Sequence, residues 1–207
     1  MPRPSLTRYD APGHTEAVVL VLHGGKARSS APVTGRSLSW LRALTLARTL
    51  GETLHGEGVG LWVLRYRTAG WNAHGTGQVE DARWALDQIR AEVGDLPVAL
   101  LGHSMGGRTA CHVADHDSVH GVVALAPWLP PGEPVTALAG RRLHAAHGRR
   151  DHITRGDDTR AYVERAREVA DEATYTDMGD RGHYLLRGAA AWNAFAVDAV
   201  RRVVAPG

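Results

Sequence analysis

Three side chains far apart along the chain have the types and surroundings that acyl transfer needs. Ser104 stands in Gly102-His103-Ser104-Met105-Gly106, a G-x-S-x-G pattern directly after an apolar run. Glycine on both sides permits a tight strand-to-helix turn that holds a serine hydroxyl out above a sheet, and Gly107 leaves room for close helix packing. A hydroxyl is a poor nucleophile until an imidazole takes its proton and a carboxylate steadies the imidazolium. On such a turn the partners follow in the order Ser, Asp, His. Asp151 comes just after a run ending in His147-Gly148, and His183 closes Gly179-Asp180-Arg181-Gly182-His183. The competing acids read otherwise: Asp157 and Asp158 as first-turn helix residues, Asp180 as a turn residue. The competing histidines, His103, His112, His116, His120, His144, His147 and His152, lie beside or within other elements and not in a glycine-flanked terminal loop.

Attack by a hydroxyl on a carbonyl creates an oxyanion, which needs N–H donors. A helix expected from Met105 to about Asp115 aims its free N–H groups and positive dipole end at that point, so Met105 N–H is one donor. The second should come from Leu20-Val21-Leu22-His23-Gly24-Gly25, an apolar strand running into a glycine loop. Gly25 N–H is the first choice and Lys26 N–H the alternative, because the motif fixes the loop but not the rotation of each peptide plane. His23 itself reads as structural.

The elements that must position these groups alternate. Short β-branched or leucine-rich runs at 17–23, 59–66, 97–102 and 119–126 read as buried parallel strands, and the less apolar 142–147 and 173–178 as later strands of the same sheet. Between them come helical stripes: 38–54, 79–93 with Ala82, Leu86, Ile89 and Val93 on one side, 159–170, and 192–204. The expectation is an α/β fold, a three-layer α/β/α sandwich on a mostly parallel sheet of about six strands, as one domain over 1–207. Catalytic groups in such sheets gather at the carboxyl ends of strands, where Ser104, Asp151 and His183 can meet.

Taken together, His23-Gly24-Gly25, Gly102-His103-Ser104-Met105-Gly106-Gly107, His147-Gly148-x-x-Asp151 and Gly182-His183 resemble the α/β-hydrolase superfamily, in that order and over nearly the whole chain. The resemblance implies a doubly wound sheet, a Ser104–His183–Asp151 triad, an acyl-enzyme intermediate and no cofactor. About a dozen residues follow Pro127 before the next strand, so no cap or lid is expected. Little room precedes Ala17 for the family's first antiparallel strands. Such minimal members are similar to small esterases and thioesterases.

Composition narrows the classes. Of 207 residues 43% are hydrophobic and 22% charged, the balance of a soluble globular chain. The net charge of +2 is spread over separated arginines, and Lys26 is the only lysine, so no basic stripe for nucleic acid exists. No run is long enough to span a bilayer. A single cysteine, Cys111, excludes an intramolecular disulfide, and residues 1–15 lack a secretory core, which places the expectation in the cytoplasm. No paired-cysteine or H-E-x-x-H pattern calls for a metal. Cys111 should pack on the sheet, and Trp62, Trp84 and Trp192 in the core. Lys26, Trp71 and Trp128 are the candidate substrate contacts, with Lys26 and Arg28 pointing to negative charge on the substrate; both tryptophans covering the sheet edge is the other reading. The expected partner is a small ester or thioester. The readings are a carboxylic ester hydrolase, a thioesterase or acyltransferase with the same groups, and a non-catalytic binding protein on a hydrolase fold.

Overall fold

The computed structural model describes residues 2–205; Met1, Pro206 and Gly207, the ends of the expected 1–207 span, lie outside the described residues. Seven strands form one sheet: β1 (Ser5–Tyr9), β2 (Ala17–Leu22), β3 (Val59–Arg65), β4 (Val98–His103), β5 (Val119–Leu125), β6 (Arg142–His147) and β7 (Glu172–Asp177). The helices are α1 (Leu38–Leu54), α2 (Thr76–Val93), α3 (Met105–His112), α4 (Gly156–Ala166) and α5 (Ala189–Val204). The order across the sheet is β1-β3-β2-β4-β5-β6-β7, with β1 antiparallel to β3 and every other pair parallel.

The count exceeds the expected six because β1 adds an edge. Ser5-Leu6-Thr7-Arg8-Tyr9 is half-buried and largely polar, as an edge strand facing water should be, and so carries no continuous apolar run. Its register, Ser5 against Arg65 and Tyr9 against Leu61, comes from pairing with β3.

Alternation along each strand supplies two cores. Val18, Leu20 and Leu22 face the side covered by α2, α3 and α4, while Ala17, Val19 and Val21 face α1 and α5. Each such leucine, fully buried, contributes about 1.5–3 kcal/mol relative to exposure. The stripe read in the sequence for α2, with Ala82, Leu86 and Ile89, is the buried face of that helix.

The order β3-β2-β4 places a topological switch between β2 and β4, where the chain leaves in opposite directions from adjacent strands. Leu22 of β2 lies opposite Gly102 of β4, so the loop after β2 emerges beside the turn after β4. Between β5 and β6 the chain makes one 3-10 turn, Thr136–Leu138. Among the described residues, no helix is long and apolar enough to cross a membrane.

Candidate active site

Ser104 occupies the turn between β4 and α3 with φ 55° and ψ −119°. A non-glycine residue held there stores about 1–3 kcal/mol of strain, so its surroundings must over-determine it. They do. Its N–H donates to the Leu125 carbonyl at 3.1 Å, and its own carbonyl accepts from the N–H groups of Gly107 and Trp128, both at 3.1 Å. The backbone of α3 approaches β2 so closely that a Cβ on Gly106 would run into the Leu22 carbonyl, which explains the glycine. The side chain of Ser104 is thereby fixed at the carboxyl end of the sheet.

A continuous chain of hydrogen bonds starts from it. Ser104 Oγ donates to His183 Nε2 at 3.0 Å, and His183 Nδ1 donates to Asp151 Oδ2 at 2.7 Å. Ser104 is 8% exposed and His183 6%, while the Asp151 side chain is 1% exposed. Asp151 Oδ2 also accepts from the Thr154 hydroxyl at 2.9 Å and from His147 Nε2 at 3.1 Å; Oδ1 accepts from the N–H groups of Ile153 and Thr154 at 2.8 and 2.9 Å. Burial works against the charged carboxyl, but the bonds from His147, His183, Thr154 and Ile153 outweigh it and hold Asp151 well below the usual carboxylate range. The arrangement can move a proton from Ser104 to His183 while the negative charge stays on Asp151.

His147 and Thr154 belong to this network and neither was assigned to it from the sequence. His147 is fully buried, and its Nδ1 accepts from the Thr159 hydroxyl at 2.9 Å, which leaves Nε2–H to point at Asp151. The available signal was the spacing: His147 stands four residues before Asp151, Thr154 three after it in a turn closed on the carboxylate. The competing acids lie elsewhere, Asp157 and Asp158 in the first turn of α4 and Asp180 in an exposed pair with Arg150.

The loop after β2 is equally fixed. His23 is 1% exposed and neutral, burial pushing it down to about 4 against the raising effect of its bond to Gly24. Its Nδ1–H donates to the Gly24 carbonyl at 2.6 Å while Nε2 accepts from Tyr66 N–H at 3.4 Å. The Gly24 carbonyl and Gly25 N–H share one trans peptide plane and point in opposite directions. By holding one, His23 aims the other. Gly25 N–H makes no hydrogen bond among the described residues, whereas Lys26 N–H is already given to the Ala69 carbonyl at 2.7 Å. The loop is pinned to the segment after β3 by Trp71 N–H on the Lys26 carbonyl at 2.9 Å and by a Ser29–Asn72 pair of bonds. A Cβ on Gly25 would come within 2.5 Å of the Met105 side chain and 2.6 Å of the Ala69 carbonyl, so only glycine fits. Met105 opens α3 and its N–H has no partner within the helix.

The remaining candidates separate. Trp71 and Trp128 meet with ring centres 6.5 Å apart, and the Arg108 guanidinium lies 4.5 Å from each ring. Arg108 is bidentate to buried Glu133, at 2.6 Å for both bonds. Trp71 is 6% exposed and packs in the core on the α2–α4 side. Lys26 and Arg28 have exposed side chains. Trp62 and Trp192 are buried in the two cores, Trp84 is half-buried, and burial pushes the Cys111 thiol up to about 12.

This sheet, switch point and serine turn are those of an α/β hydrolase. Residues 65–175, just over half of the chain, match the family model described as serine aminopeptidase, S33, and the chain belongs to that family. The match includes Ser104 and Asp151 and ends before His183. A search of curated proteins found no significant match. Among solved structures the chain is similar to an α/β serine hydrolase without a lid from Xanthomonas campestris, at 18% identity and TM-score 0.72 over 99% of this chain and 97% of that one. It is similar to an α/β serine hydrolase homologue from Coxiella burnetii, at 16% identity and TM-score 0.73 over 94% and 90% of the two chains. An esterase from Pyrococcus furiosus matches at 15% identity and TM-score 0.69 over 92% and 82%. At these identities the likeness is one of fold.

Proposed function

We propose that this chain hydrolyses a carboxylic ester through an acyl-enzyme, with Ser104 as nucleophile, His183 as general base and then acid, and Asp151 as the group that orients and stabilises the imidazolium. The observation that carries the reading is the unbroken run Ser104 Oγ–His183 Nε2, 3.0 Å, and His183 Nδ1–Asp151 Oδ2, 2.7 Å, on a strained turn. As Ser104 attacks, its proton passes to His183 Nε2 and the carbonyl oxygen becomes an oxyanion held by Gly25 N–H and Met105 N–H. The bond of Lys26 N–H to the Ala69 carbonyl supports Gly25 over Lys26 in that role. Collapse expels the alcohol, which takes the proton from His183, and water attacks the acyl-enzyme by the same route. Asp151, saturated by five donors, keeps its charge throughout.

A fluorophosphonate probe followed by peptide mapping tests this reading, since only an activated serine reacts quickly. Labelling at Ser104 in the wild type, lost in His183→Ala, supports it; an unlabelled Ser104 removes it. Hydrolysis of p-nitrophenyl acetate that vanishes in Ser104→Ala assigns the ester chemistry.

A further inference from the structure

His147 takes no part in the proton transfer from Ser104, yet its ring bonds to the carboxylate on which that transfer depends. The ring is fully buried at the end of β6, where an N–H must find an acceptor. The Thr159 hydroxyl, buried on α4, donates to Nδ1 at 2.9 Å, which leaves the proton on Nε2. That proton has Asp151 Oδ2 at 3.1 Å and the Thr154 hydroxyl oxygen at 3.3 Å.

One carboxylate oxygen therefore serves two imidazoles. Asp151 Oδ2 accepts from His183 Nδ1 at 2.7 Å and from His147 Nε2 at 3.1 Å, and of the two rings it is His183 that bonds to Ser104. Burial disfavours the charge on Asp151, and among the bonds that offset burial the one from His147 comes first, ahead of the one from His183. Negative charge drawn toward His147 is no longer available to hold the proton of His183.

Other titratable groups face this network from the neighbouring elements. His103 packs 4.9 Å from the His183 ring and is neutral, burial pushing it down to about 3. Tyr184 meets the same ring edge-on at 5.4 Å, with the Arg42 guanidinium 4.7 Å from the Tyr184 ring centre. Toward α4 and β7, Asp151 borders a polar cleft lined by Arg149, Arg155, Arg160, Asp157, Tyr175 and Asp177. The three guanidiniums there are matched by three carboxylates, Asp151 included. Arg150 pairs with Asp180 at 3.1 Å on the exposed side of the loops.

We infer that His147 is a positioning residue of the relay: it holds Asp151 Oδ2 toward His183 and, by sharing that oxygen, leaves His183 unprotonated and ready for the Ser104 proton in weakly acidic solution; this rests on the hydrolase reading above. The same pull acts later in the cycle. Once His183 is an imidazolium, its Nδ1 proton is drawn toward Oδ2, and the donor from His147 keeps it on the ring while Nε2–H passes to the leaving alcohol. With that donor gone, Asp151 is the stronger base and grips the imidazolium. His183 then stays protonated to higher pH.

Two substitutions divide the bonds of the ring. His147→Asn can set a carbonyl oxygen near Nδ1 and accept from Thr159, but it ends short of Asp151; His147→Gln can set an amide N–H near Nε2 and donate to Asp151. The readout is the second-order rate of fluorophosphonate labelling at Ser104 against pH, each variant scaled to its own plateau. In His147→Asn the acid limb should move up by about 0.5–1 pH unit, a loss of roughly threefold to tenfold at a fixed pH on that limb, and His147→Gln should recover most of it. A role in folding alone lowers the plateau or the melting temperature and leaves the limb in place. An unmoved limb in His147→Asn, or an equal shift in His147→Gln, overturns the assignment. Imidazole ¹⁵N NMR of the wild type decides the matter even where a variant unfolds: His147 should carry its proton on Nε2 with Nδ1 bare, and the opposite tautomer overturns its role. Wild-type protein that takes no label at Ser104 removes the hydrolase reading and this one with it, whereas a labelled enzyme with an unmoved limb loses only the role of His147.

Discussion

Two substitutions at His23 separate its two hydrogen bonds and so test whether it aims the Gly25 donor. Glutamine places a carbonyl oxygen near the position of Nε2 and can accept from Tyr66 N–H, but it offers nothing to the Gly24 carbonyl. Asparagine places an amide N–H near the position of Nδ1 and can hold the Gly24 carbonyl, but it leaves Tyr66 N–H without its acceptor. Complete loss of one oxyanion donor lowers kcat by about 10²–10³. Here the loop keeps its ties at Lys26, Ala69 and Trp71, so freeing the Gly24–Gly25 plane should realise only part of that. His23→Gln should therefore lower kcat about 10- to 100-fold with KM little changed. His23→Asn should stay within about fivefold of wild type in kcat but lose about 1–3 kcal/mol of stability for the buried, unsatisfied N–H. Steady-state kinetics on a p-nitrophenyl ester, with urea unfolding of each variant, reads both effects. Wild-type kcat in the glutamine variant, or an asparagine variant as slow as the glutamine one, would refute the reasoning.

Other expectations follow from the same geometry. Ser104→Gly should abolish turnover yet raise stability by about 1 kcal/mol in urea unfolding, because glycine adopts φ 55° with little strain. Asp151→Asn should cost roughly 10⁴ in kcat, as it does where a triad carboxylate is neutralised, with the melting temperature showing that the fold persists. Stability should also fall in acid before most carboxylates titrate. Folded His23 stays neutral down to about 4, while an unfolded histidine takes up a proton near 6.5. Below pH 6.5 the unfolded chain binds more protons, so the stability contributed by neutral His23 is complete above that pH and declines toward pH 4, by about 3 kcal/mol in all. Urea unfolding at pH 7 and pH 4 checks this; the decline should be shallower in His23→Asn.

Much of the framework was legible because it rests on local pattern. Strands buried on both faces read as apolar runs, and the glycines around Ser104 announce a turn whose backbone contacts exclude a Cβ. Asp151 and His183 followed from chain order, since parallel strands deliver their carboxyl ends to one edge. What escaped depends on distance in sequence or on rotation. β1 is too polar and exposed to stand out before its pairing with β3 is known. His147 reaches Asp151 only because β6 ends in a tight turn, and Thr154 joins when that turn folds back on the carboxylate. That Lys26 N–H is engaged and Gly25 N–H has no partner among the described residues depends on one peptide plane and on Ala69, 43 residues beyond Lys26. The tryptophans drew attention by size, but a cavity lies across the sheet, lined from α1 by Ser39, Arg42, Ala43, Thr45, Leu46 and Thr49.

The adjacency of β2 and β4 has a consequence for how this protein can change. The distance between Ser104 and the Gly25 loop is inherited from hydrogen-bond register in the middle of the sheet, Leu22 opposite Gly102, and not from any loop length. Insertions at the outer edges, or a new face on α1, leave that spacing untouched. The serine turn and the glycine loop are thus held to each other by the centre of the sheet, and change at its margins leaves their spacing in place.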